Sequence, residues 1–140
     1  MTDLAKRAAE IAAAPHAFAS ADIAGVIGEL AARLSRQTLP TRRPNVTTEA
    51  LWHDHLITVT IGFDLDGHPM EAFATTLRGG DMQAALADAC VLISIALQHG
   101  IEPSALAKSL VRVPAYRLGV ETDAAASPIG TILYCIMEAE

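Results

Sequence analysis

The sequence predicts an α+β fold: two N-terminal helices, a three-stranded antiparallel β-meander packed on a long buried helix, and shorter C-terminal helices. Three observations carry this reading. Apolar residues recur at three and four positions as far as Leu34, then alternate strictly in HLITVTIGFD, where Ile57, Val59, Ile61 and Phe63 share one face. An Asp66-Gly67 dipeptide follows, suited to the positive φ of a tight hairpin. Residues 81–100 then form a helical run that is apolar nearly all round from Ala89 to Leu97.

In chain order, a first helix is read in residues 2–14, with Leu4, Ala8, Ile11 and Ala12 on one stripe, Thr2 or Asp3 as cap, and Pro15 ending it. A second, over residues 21–37, repeats Ile23, Val26, Ile27, Leu30 and Leu34, with Ser20 as candidate N-cap. TLPTRRP, from Thr38 to Pro44, has two prolines and no period, and reads as a linker. The meander comprises NVTTEALW, HLITVTIGFD and MEAFATTL. Arg78-Gly79-Gly80 stops the third strand, Asp81 is placed as cap of the long helix, and Gly100 as its C′ residue. Pro103 opens a shorter helix through Leu110, and residues 111–126 read as irregular. Ser127 as N-cap and Pro128 at N1 begin the last helix. Residues 1–44 thus form a helical hairpin and linker, and residues 45–140 an α+β domain.

With 140 residues, 51% apolar and only 4% aromatic, the chain can build a core of Ala, Leu, Ile and Val. The apolar excess points to surface hidden in a homo-oligomer. A net charge of −6 argues against nucleic acid and anionic membranes as partners. Arg36, Arg42 and Arg43 are read as solvated charge of the linker. No stretch approaches the roughly 18 uncharged apolar residues of a membrane span, and the charged N-terminus does not resemble a signal peptide. The expected localisation is cytoplasmic. Cys90 and Cys135 lie far apart in apolar segments, which reads as two buried thiols.

Few side chains suggest chemistry. WHDH, Trp52 to His55, places two histidines around Asp54 where the first strand must reverse into the second, so it reads as a hairpin connection. His68 belongs to a loop at the other end of the second strand, roughly 25–30 Å away at about 3.3 Å per residue, which separates it from His53 and His55 as ligands of one metal. No metal site is expected. Asp88 interrupts the long helix and must be paired or face solvent. Ser94 reads as back-bonding to the preceding turn. Gly79 and Gly80 precede a helix N-terminus, where backbone N–H groups can receive an anion, although Asp81 would repel it.

One block, residues 66–110, resembles the TSCPD domain, a module found at the C-terminus of adenosylcobalamin-dependent ribonucleotide reductases and also as short free-standing proteins. The matching residues are Gly67, Pro69, Glu71 and Phe73, then Ser94, Leu97, Gln98 and Gly100, and finally Leu110. The family takes its name from a Thr-Ser-Cys-Pro-Asp run before a final helix, and its cysteines suggest metal binding. Here that place reads Ala125-Ala126-Ser127-Pro128-Ile129, so the metal inference does not carry over. Reductase chemistry does not carry over either, because 140 residues cannot hold the large catalytic barrel.

The resemblance implies a non-catalytic accessory or binding protein, without a cofactor, docking a reductase-type partner protein or a small polar ligand. Its binding residues would be Glu71, Arg78, Gly79, Gly80, Asp81 and Ser127, with Glu71, Arg78 and Asp81 at one mouth. The alternative is a small nucleotide- or anion-binding protein or enzyme that uses the helix N-termini near Arg78-Asp81 and Ser127.

Overall fold

A computed structural model describes residues 3–140. The chain forms two compact units, residues 3–37 and Thr38–Glu140. In the first, α1 (Asp3–Ala13) and α2 (Ser20–Leu34) are joined by a short 3₁₀ turn at Pro15–Ala17. Leu4 and Val26 are its buried residues, and Glu29 takes ion pairs from Arg7 at 3.7 Å and Arg33 at 3.9 Å. Ile27 and Leu34, from the apolar stripe of α2, are exposed. Ser20 is not the N-cap expected: Ala19 holds that position, with no side-chain cap. Thr2 lies outside the described residues.

The second unit is built on a sheet of order β1-β2-β3, from β1 (Asn45–Trp52), β2 (His55–Phe63) and β3 (Pro69–Thr76). Both pairings are antiparallel, and the β1–β2 register runs unbroken from Asn45↔Gly62 to Trp52↔His55. The alternation seen in the sequence has its expected consequence. Ile57, Val59 and Ile61 are wholly buried on one face, beside Ala72 and Ala74 of β3. Against that face pack α3 (Gly80–Gln98) through Leu86, Cys90, Ile93 and Leu97, and α5 (Pro128–Glu138) through Ile132, Leu133 and Ile136.

The long helix α3 does more than cover the face. As the outer strand beside α3, β3 presents unpaired backbone groups at alternate residues. Four α3 side chains on one stripe meet them. Gln98 Nε2 donates to the Met70 carbonyl at 3.1 Å, and the Ala72 N–H donates to Ser94 Oγ at 2.9 Å. The Ala74 N–H bonds to the Cys90 sulfur. Gln83 spans two positions, donating to the Ala74 carbonyl at 3.0 Å and accepting from the Thr76 N–H at 2.8 Å. The helix thereby stands in for a fourth strand.

Several expectations need correction. By length and composition α3 is apolar enough to cross a bilayer, contrary to the statement that no segment approaches a span. Nor is it buried all round, since Val91 and Leu92 are exposed and Asp88 faces solvent. Asp81 lies within the first turn of α3, while Gly79 is the N-cap without a side-chain bond. The helix opened by Pro103, α4, ends at Ala107 and not Leu110. Residues 111–126 are not irregular: β4 (Arg112–Arg117) and β5 (Val120–Ala125) form an antiparallel hairpin. Its turn, Leu118-Gly119, has φ of 52° and 80°. Leucine gives no turn signal, and Pro114 inside β4 argues against a strand, so local sequence concealed the hairpin.

Candidate functional site

The face of the sheet away from the core carries one row of residues across all three strands, Asn45, Gly62 and Glu71, and beside it a second, Thr47, Thr60 and Phe73. Gly62 has a structural purpose here. A Cβ on it would come within 2.5 Å of Glu71 Oε1 and 2.7 Å of Glu71 Cγ, so only glycine lets the Glu71 side chain lie across the sheet.

There Glu71 meets Arg43 in a two-pronged pair, Nε to Oε1 and Nη2 to Oε2, the second at 2.8 Å. Arg43 Nη1 also donates to the Pro40 carbonyl at 2.8 Å. The bond to Glu71 raises the Arg43 pKa above its already high ordinary value, against a smaller effect of burial. Arg43 is therefore a buckle that ties the linker to the sheet, which corrects its reading as solvated charge.

Between linker and sheet lies an open groove of about 660 Å³, lined by Thr41, Arg42, Arg43, Asn45, Thr60 and Phe73 among others. Arg42 is exposed and, among the described residues, has no hydrogen bond or ion pair. Phe73, which also lines the groove, is 56% exposed. The groove therefore offers a guanidinium and an aromatic face, a pairing able to hold an acidic group that carries an apolar body.

The remaining expected site residues are dispersed. Arg78 lies seven positions from Glu71 along β3 and its exit, roughly 23 Å at 3.3 Å per residue, so the two do not form one mouth. Arg78 Nη2 instead donates to Asp54 Oδ2 at 2.8 Å, clasping the turn of the β1–β2 hairpin. Gly79 and Gly80, with φ of 58° and 68°, make the bend into α3, and Asp81 follows. Ser127 Oγ accepts the Gly130 N–H at 3.2 Å, as an N-cap does.

WHDH is the two-residue hairpin turn that its position implied, with His53 at φ 53° and Asp54 beside it. The His55 ring stacks on Trp52 at 5.7 Å. In the β2–β3 turn, Asp64 Oδ1 accepts the N–H groups of Asp66 and His68 at 2.9 and 2.8 Å, and Oδ2 lies 3.1 Å from His68 Nδ1. Asp64, Asp66 and His68 each offer one ligand atom within 4.8 Å of the others, but these contacts already close the loop. Burial opposes ionisation of Asp64 and is outweighed by these bonds, so its carboxyl is held below the ordinary range.

Ser94 Oγ donates to the Cys90 carbonyl at 2.7 Å while accepting from Ala72. Cys90 and Cys135 are buried free thiols, and burial pushes Cys90 up to about 11.

The TSCPD-domain family model matches residues 29–138. The chain belongs to the TSCPD-domain family. The match begins within α2, so the family region reaches further toward the N-terminus than residues 66–110 suggested. Neither the curated proteins nor the solved structures contain a match to the chain. In this TSCPD protein, two of the residues that carry the resemblance, Ser94 and Gln98, hold the β3 edge, and Glu71 anchors the linker.

Proposed function

We propose that this TSCPD protein is a non-catalytic accessory protein that docks a partner in the groove between linker and sheet. One observation carries the reading: the Arg43–Glu71 pair fixes the linker, and Arg42, unpaired among the described residues, lines the same groove as the exposed Phe73. Groups already bonded within a fold gain little from a ligand, whereas an unpaired guanidinium beside an apolar surface gains both a charge partner and buried area. The groove suits an acidic segment of a partner protein that also offers an aliphatic or aromatic side chain. A reductase-type catalytic subunit, the partner the family resemblance implies, is the first to test.

The experiment is affinity capture of such a subunit by the full chain, followed by titration calorimetry. The expected result is salt-sensitive binding that weakens about tenfold or more in Arg42→Glu and in Phe73→Ala, with melting temperature unchanged. Absence of capture, together with a nucleotide-induced thermal shift abolished by Arg78→Ala, would replace this reading with small-anion binding at the start of α3.

A further inference from the structure

The two edges of the sheet are treated in opposite ways. The β3 edge is bonded by Gln83, Cys90, Ser94 and Gln98, as described above. The β1 edge has no such cover. The Phe63 N–H bonds to the Pro44 carbonyl, which fixes the phase of the ladder: even-numbered residues of β1 bond to β2, and odd-numbered ones point their N–H and C=O groups outward. Among the described residues, nothing bonds to the outward groups of Asn45, Thr47, Glu49 and Leu51.

β1 also lacks most of the devices by which open edges avoid pairing, its single charge being Glu49. Over eight residues it contains no proline, lysine or glycine, and its register shows no bulge. Val46 is 47% and Leu51 69% exposed along it. Such a strand is a template for another strand.

We infer that β1 pairs antiparallel with β1 of a second copy of this chain, joining two three-stranded sheets into one of six strands. The sequence of the strand selects the register. Two-fold pairing that preserves the faces of the sheet must set a residue opposite its own copy. Centres at Thr48 and Glu49 keep the most of β1 paired, and centring on Glu49 would oppose two carboxylates, which is destabilising. Centring on Thr48 sets Thr47 opposite Glu49 and Val46 opposite Ala50, with no like charges facing. That register satisfies the outward backbone groups and covers part of Val46. It also leaves both Arg42 grooves on the same face of the joined sheet, so the interface is separate from the docking site proposed above.

Sedimentation analysis of the full chain should give twice the chain mass. Glu49→Pro removes one outward N–H and no bond to β2, and should yield a folded monomer at the same concentration. Thr48→Cys should form an intermolecular disulfide under mild oxidation, because Thr48 faces its copy in a non-hydrogen-bonded pair, whose Cα atoms lie about 4.5 Å apart, within the span of a disulfide. The native thiols are buried and give no background. If Glu49→Pro fails to fold, the cross-link decides. A monomeric parent chain without the Thr48 cross-link overturns the inference, as does a dimer that Glu49→Pro leaves intact. A dimer in which Thr48→Cys does not cross-link overturns the register.

Discussion

Ser94 Oγ accepts the Ala72 N–H at 2.9 Å and donates to the Cys90 carbonyl at 2.7 Å, so one hydroxyl joins the middle of α3 to the edge of β3. Removing it leaves a backbone donor facing the helix with no acceptor. Ser94→Ala is expected to cost about 1–3 kcal/mol, more than an ordinary exposed Ser→Ala change. Urea unfolding followed by Trp52, the single tryptophan and a residue of β1, measures this directly.

Gly62→Ala is expected to act on the linker and not on the core. Its Cβ would displace the Glu71 side chain, and Arg43 would lose its partner. Hydrogen exchange at residues 38–44 should quicken while exchange in the middle of β2 stays slow. Arg43→Ala should reproduce the pattern, and the binding proposed for Arg42 should weaken in both variants.

The hairpin β4–β5 turns through Leu118 at φ 52°, a left-handed conformation in which Cβ crowds the following carbonyl and which asparagine tolerates better because its short amide can hydrogen-bond locally. Leu118 is fully exposed, so replacing it removes no packing. Leu118→Asn should stabilise the hairpin by about 1 kcal/mol, seen as slower amide exchange across Arg112–Ala125.

Acid should weaken the turns of the meander. The Asp54 carboxyl is lowered by its own backbone N–H and by Arg78, and that of Asp64 by the bonds that overcome its burial. Both folded values lie below the unfolded value of about 3.9, so their stabilisation is complete above that pH and disappears as pH falls through the folded values. Urea midpoints measured down to about pH 2 should fall, and Asp64→Asn should flatten part of that decline.

Thiol reactivity should follow unfolding. With Cys90 pushed up to about 11 by burial and Cys135 also raised, native protein at mildly alkaline pH should react slowly with iodoacetamide. Denaturant should release two equivalents, and Ser94→Ala should speed the reaction at Cys90 by loosening the helix beside it.

Much of the framework is present in local patterns. Alternation of Ile57, Val59, Ile61 and Phe63 identifies β2, and the turn residues around it mark its neighbours, because side chains in a strand alternate between faces regardless of what covers them. Ser127 and Pro128 specify the start of α5, because capping depends on residues only three apart. The β4–β5 hairpin was not legible, since Leu118 and Pro114 oppose the local rules for the structure they adopt. The candidate site was legible only in fragments. Glu71 stands out in the family-like block, but nothing near it in sequence announces Arg43, 28 residues earlier, or the missing side chain at Gly62 that lets them meet.

The sequence by itself therefore determined the meander, the long helices, the cap of α5 and the family, because these depend on period, on near neighbours and on a matched pattern. Only the tertiary structure decided what the polar residues do. Glu71 and Arg78 appear close in sequence, yet an extended strand holds them at its opposite ends, where each meets a cation or an anion brought from another element. Folding chooses those partners because a partly buried charge or an unbonded strand edge must be satisfied by whatever lies beside it in space.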